Sequence, residues 1–131
     1  MSAADVRAIQ RLKHEYCFTI DGGRYEEWAS LFTEDGRFVR DNGDVYEGHD
    51  ELYAFASEGF DEAFAQSAHV VTNPLIEVAG DEAVGEWYLV LFHETPDGES
   101  GWTQAKYEDE YRKVDGEWRV AESKVSYGVR G

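Results

Sequence analysis

Cysteine occurs once in this chain, at Cys17, and proline only twice, at Pro74 and Pro96. A lone cysteine excludes an internal disulfide, and on a helix it is read as a small core residue rather than a nucleophile. Basic residues are also scarce, 12 against 28 acidic ones, for a net charge of −16. Binding to nucleic acid or to an anionic membrane needs a basic face, so neither is an expected partner. The acidity is read as a solvated surface. No apolar run is long enough to span a bilayer, and the opening Met-Ser-Ala-Ala-Asp carries no signal-peptide core, so a cytoplasmic protein is expected. Phosphate loops, Cys/His metal spacings and nucleophile elbows are all missing, and no cofactor or metal is expected.

What is present is a core. Hydrophobic residues make up 42% of the chain, with seven Phe, eight Tyr and four Trp. One domain over residues 1–131 is expected, burying roughly two thirds of its unfolded surface. Val6, Ile9, Leu12, Lys13, Tyr16 and Ile20 recur at helical spacing, predicting a helix over 3–20 that Gly22-Gly23 stops. A second helix is predicted over 24–32, with Tyr25, Trp28, Leu31 and Phe32 on its apolar side. Thr33-Glu-Asp-Gly36 ends it, and a strand follows over 37–40. Asn42-Gly43 marks a hairpin, because Asn-Gly accepts positive φ. A third helix is predicted to run from the acidic start at Gly48-His49-Asp50 to about 58.

From Gln66 onward four strands succeed one another, broken at Gly80-Asp81, Pro96-Asp-Gly98 and Asp115-Gly116. Helices first and an antiparallel meander after give an α+β fold, with three N-terminal helices packed on one face of a curved sheet. The hairpin from His69 to His93 holds most of the chemistry. Successive side chains alternate faces on a strand, so Trp87, Leu89, Leu91 and His93 share one side. Each strand carries an imidazole at its end away from the turn, so the two could meet across the sheet. Asp21, at the end of the first helix, could orient His69 and stabilise its imidazolium. A structural histidine and an ordinary helix-end aspartate explain the same residues without chemistry. His14 is expected in solvent and His49 in a helix-start loop, both structural. Asp109, between Tyr107 and Tyr111, needs a partner if buried, and a salt bridge or an edge position is the simpler account. Tyr16, Tyr88, Tyr107 and Tyr127 could each supply a hydroxyl to a pocket.

The segment Tyr16-Cys-Phe-Thr-Ile-Asp21-Gly-Gly-Arg-Tyr-Glu-Glu-Trp28, continuing to Asp35-Gly36, resembles the opening of SnoaL-like proteins of the nuclear transport factor 2-like superfamily. His69-Val-Val-Thr-Asn-Pro, Gly80-Asp81-Glu-Ala83 and Tyr111-Arg-Lys-Val-Asp-Gly-Glu-Trp118 continue the likeness along nearly the whole chain. The resemblance implies a cone-shaped α+β barrel enclosing an apolar pocket. Within the superfamily the pattern looks most like the scytalone dehydratase and hexachlorocyclohexane dehydrochlorinase branch. By that resemblance His69 moves a proton, Asp21 orients it, and His93 assists the leaving group. The pocket lining is then expected from Tyr16, Trp87, Leu89, Leu91, Ala105 and Tyr107. Ile20, Gly36 or Arg37, Ala105 and Tyr107 stand where the dehydratase carries hydroxyl or amide side chains, which argues against scytalone itself. The function implied is a cofactor-free lyase acting on a small hydrophobic ring compound. A ketosteroid-isomerase-like isomerase or polyketide cyclase is the enzymatic alternative, and a non-catalytic ligand-binding or dimerisation module the alternative from another class. The resemblance further implies a homotrimer or homodimer.

Overall fold

The computed structural model describes residues 2–131. Ser2 caps α1 (Ala3–Asp21), its hydroxyl accepting from the amides of Ala4 and Asp5, and Gly22 closes the other end. Gly23 follows at φ +72°, a left-handed conformation that glycine adopts without penalty. The short α2 (Tyr25–Ser30) buries Trp28 and Ala29. β1 (Phe32–Arg40) starts earlier than the sequence suggests. Residues Thr33 to Gly36, expected to be a helix terminator, lie inside that strand at a register shift between Phe32 and Arg37. Gly36 is required there, since a Cβ would stand 2.7 Å from Phe32 Cβ and 2.9 Å from the Thr33 carbonyl.

The turn to β2 (Val45–Glu47) also differs from expectation in detail. Gly43 takes positive φ, whereas Asn42 does not; its side-chain oxygen instead accepts the Asp44 amide at 2.9 Å. The third helix extends beyond 58. An α-helical segment α3 (Gly48–Ala54) passes through a π-helical turn (Phe55–Phe60) into a last turn, Asp61–Ala63. The π turn changes the helical period, which is why 3.6-residue spacing stops short of the helix end.

β3 (Gln66–Ala79), β4 (Glu82–Glu94), β5 (Ser100–Val114) and β6 (Glu117–Arg130) form the expected meander, and the three breaks fall where the turn residues stand. The sheet order is β2-β1-β6-β5-β4-β3, antiparallel throughout except for β1 beside β6. The strands curve into a cone but do not close: β2 and β3 remain edges, so the expected barrel is an open one. Three helices pack on its concave face around Ile9, Tyr16, Trp28, Phe32, Leu52 and Val120, all essentially without solvent contact. No helix among the described residues is long and apolar enough to cross a membrane.

One irregularity decides which face His69 presents. Near the Gly80-Asp81 turn, Val78 pairs with Ala83 and Ile76 with Gly85. Continued without interruption, that register would set His69 opposite Phe92, on the outer face. The β3–β4 ladder shifts between Thr72 and Leu75, where Asn73 takes φ +57° ahead of Pro74. The bulge inserts one residue into β3 and reverses the face of everything before it. His69 therefore pairs with Leu91 and points inward.

Candidate functional site

Asp21 is the last residue of α1 and has no basic residue beside it in the final turn. A carboxylate at a helix C-terminus meets the negative end of the macrodipole, so the position is unfavourable unless donors are supplied. β3 supplies them. His69 Nδ1 lies 2.6 Å from Asp21 Oδ1, the His69 amide donates to Oδ2 at 2.7 Å, and the Ser67 hydroxyl donates to Oδ1 at 2.8 Å. Burial alone would raise the Asp21 carboxyl. The His69 ring and amide and the Ser67 hydroxyl outweigh it and hold the carboxyl below its ordinary value of 3.8.

A carboxylate can only accept, so His69 Nδ1 carries the hydrogen and Nε2 is the basic nitrogen of the neutral ring. The ring packs against Phe60, with centroids 5.7 Å apart, and only 6% of its side chain is exposed. His93 does not pair directly with His69. It stands opposite Ser67, one diagonal step away on the same inner face. Its ring lies against Phe64 at 4.9 Å, Nε2 is 3.5 Å from the Thr103 hydroxyl, and Nδ1 is buried without a hydrogen-bond partner.

Both imidazoles line a cavity of about 510 Å³ between the sheet and the third helix. Tyr16, Leu89, Leu91 and Tyr107 line it. Trp87 and Ala105 do not. Trp87 turns its indole N–H to the Tyr111 hydroxyl at 3.0 Å and belongs to the core below. Ala105, between Leu89 and Tyr127 on its two ladders, is too short to reach the space. Tyr127 reaches the wall, whereas Tyr88 faces solvent on the outer side. Sequence reading missed Phe55, Phe60 and Phe64 of the third-helix wall, Arg40 and Arg130 at the rim, and Ser67. Ser67 was within reach of it, since it sits two residues before His69 on the same strand face. A broader depression along α1, lined by Arg7, Arg11, His14 and Phe18, is shallow and takes nothing from β3 or β4.

The remaining candidates lie outside the cavity. His14 is exposed. His49 Nε2 donates to the Phe32 carbonyl at 2.9 Å and ties the third helix to β1. Burial pushes the Cys17 thiol up to about 12, too high for a thiolate nucleophile near neutrality. Asp109 is fully buried and meets Lys13, the salt-bridge explanation of its place on an apolar strand face. No cluster of metal-ligating side chains occurs among the described residues.

Comparison with known proteins agrees with the architecture. A Mycobacterium tuberculosis protein of unknown function is 33% identical over 95% of this chain and 72% of its own, with a TM-score of 0.85. A Novosphingobium aromaticivorans protein assigned as a scytalone dehydratase is 25% identical over 98% of this chain and 87% of its own, at 0.90. LinA, a hexachlorocyclohexane dehydrochlorinase, is 25% identical over 97% of this chain and 88% of its own, at 0.89. No curated protein matches by sequence. The SnoaL-like domain model matches residues 1–124, and the chain belongs to that family, with the nuclear transport factor 2-like fold.

Proposed function

We propose that this protein is a cofactor-independent acid–base lyase, removing water or another leaving group from a small hydrophobic ring compound held in the cavity. The observation that carries the proposal is the 2.6 Å contact between His69 Nδ1 and an Asp21 carboxylate fixed by two further donors. A structural histidine needs one such bond; three donors converging on a helix-end carboxylate amount to an oriented base. With Nδ1–H committed to Asp21, His69 Nε2 takes the proton next to an activating group, and Asp21 stabilises the imidazolium that forms. His93, on the same wall and held only loosely by Thr103, protonates or hydrogen-bonds the departing group. The neighbours assigned as a dehydratase and a dehydrochlorinase point to elimination. The same base and a second proton donor also suit isomerisation or cyclisation, and the leaving group decides between them. We place the reaction in the cytoplasm.

The test is titration of the four histidines by NMR in the wild-type protein and in Asp21→Asn. The expected result is a selective change in the His69 curve, with His93 following and His14 and His49 unmoved. A His69 curve indifferent to Asp21 would sink the dyad and leave a ligand-binding module as the reading.

We further propose that the chain assembles as a homotrimer or homodimer through the outer sheet face, where Tyr88, Phe92, Val84 and Val70 are about half exposed. Sedimentation velocity at micromolar concentration is the check; a monomer there refutes it.

A further inference from the structure

The chain carries 28 acidic side chains and 12 basic ones, yet among the described residues no acidic side chain lines the cavity while Arg40 and Arg130 do. Arg130 is exposed at the rim. Arg40 is more enclosed, with about a third of its side chain exposed, and shares the wall with Phe38, Phe55, Tyr46 and Tyr127. The carboxylate that approaches it, Asp44, stands 3.9 Å away on the surface hairpin and is itself more than half exposed. A pair so long and so wetted neutralises little of the charge. The Tyr127 ring lies 6.0 Å from the centre of the guanidinium. Arg40 thus lines the cavity beside the Tyr46 and Tyr127 hydroxyls, with its planar fork not taken up by a carboxylate.

Strand order sets where that charge lies relative to the histidines. Arg40 ends β1 and His69 lies on β3, with β6, β5 and β4 between them. Four strand steps of ~4.8 Å place the two about 19 Å apart along the curved sheet, less across the hollow of the cone. Arg40 and the acid–base pair thus stand on opposite sides of one cavity, and Phe55, Phe60 and Leu91 on its wall suit a hydrophobic ring.

We propose that the ligand is a ring compound bearing a carboxylate at the end away from the reacting carbon, and that Arg40 binds this carboxylate. The assignment of the reacting end rests on the lyase reading above, whereas the anion site does not. Binding energy from a remote, unreacting group would orient the ring against His69 without placing charge beside the base.

The experiment is calorimetric binding of 2-naphthoate and its neutral analogue 2-naphthamide to the wild-type protein, Arg40→Gln, Arg40→Lys and His69→Gln. Wild-type protein is expected to bind the acid about tenfold or more tightly than the amide, as a charge-assisted pair allows. Arg40→Gln should erase that preference while leaving the amide affinity unchanged, and Arg40→Lys should retain part of it. His69→Gln should keep the preference intact, so loss of the acid–base site and loss of the anion site are read separately. Equal binding of acid and amide by the folded wild-type protein, or no detectable binding of the acid at millimolar concentration, overturns the proposal. So does a preference that survives Arg40→Gln. Should that variant fail to fold by circular dichroism, an undiminished preference in Arg40→Lys overturns it instead.

Discussion

Lys13 and Asp109 meet at 2.9 Å with neither side chain exposed to solvent. Asp109 also accepts from the Tyr111 and Ser123 hydroxyls, each at 2.7 Å. The Lys13 ammonium lies over the Tyr107 ring at 3.5 Å and the Tyr16 ring at 3.9 Å, and finds no well-aligned hydrogen bond. Both rings line the cavity, so the pair stands directly behind its floor. Lys13→Met leaves a buried carboxylate without its counter-charge and should cost about 3–5 kcal/mol. The double variant Lys13→Met/Asp109→Leu should recover most of that loss, because the penalty lies in the orphaned charge. Urea midpoints of the two variants decide the matter; equal destabilisation would mean that the pair contributes through packing instead.

Much of this arrangement is legible in the residues. Helical spacing puts Lys13 in the apolar stripe of α1, and strand alternation puts Asp109 between two buried tyrosines, so each charge calls for a partner. That they call for each other is not legible, because 96 positions separate them and only the sheet order brings α1 over β5. The same holds at the candidate site. Period-2 alternation sets His93 on the face of Leu89 and Leu91, and Asp21 follows from where the helix stops. The inward direction of His69 depends on the Asn73-Pro74 bulge, which alternation from the turn would contradict. Trp87 and Ala105 have the right face but the wrong depth, and depth is set by neighbours rather than by period.

The bulge yields a prediction of its own. Asn73 adopts φ +57°, tolerable for Asn and Gly and strained for a β-branched residue. Asn73→Gly should leave stability within a few tenths of a kcal/mol, since glycine meets the backbone requirement but adds entropy to the unfolded chain. Asn73→Val should cost about 1–2 kcal/mol or more. It should also disturb the His69 resonances more than those of His49, because the bulge determines which face His69 presents. Thermal midpoints and imidazole spectra of the two variants test both parts; unperturbed His69 signals in Asn73→Val would contradict the second.

Acid stability carries a signature of the Asp21 cluster. Its carboxyl is held below 3.8 in the folded protein, so its contribution is fully present above that value and is lost as pH falls through the lower folded value. Removing the charge should therefore flatten the acid limb. Asp21→Asn is expected to be less stable than wild type at pH 7 and to lose less additional stability between pH 5 and pH 3. Urea midpoints across that range provide the check. Parallel pH profiles for the two proteins would show that the donors around Asp21 do not favour its charged form.

Ser67 separates orientation from base strength. Its hydroxyl touches Asp21 Oδ1, the oxygen that also receives His69 Nδ1–H, and it does not touch the imidazole through any hydrogen bond. Ser67→Ala removes one of three donors, so the Asp21 carboxyl should rise toward its ordinary value while the His69 contact persists. On a substrate that the protein turns over, Asp21→Asn and His69→Gln should each lower kcat by ~10²–10⁴, the usual worth of general acid–base help. Ser67→Ala should lower it by less than about tenfold, since the oriented dyad survives with a weaker hold on its aspartate. A loss in Ser67→Ala as large as that in Asp21→Asn would mean that the hydroxyl itself meets the substrate, and the role of Ser67 would move from positioning to chemistry.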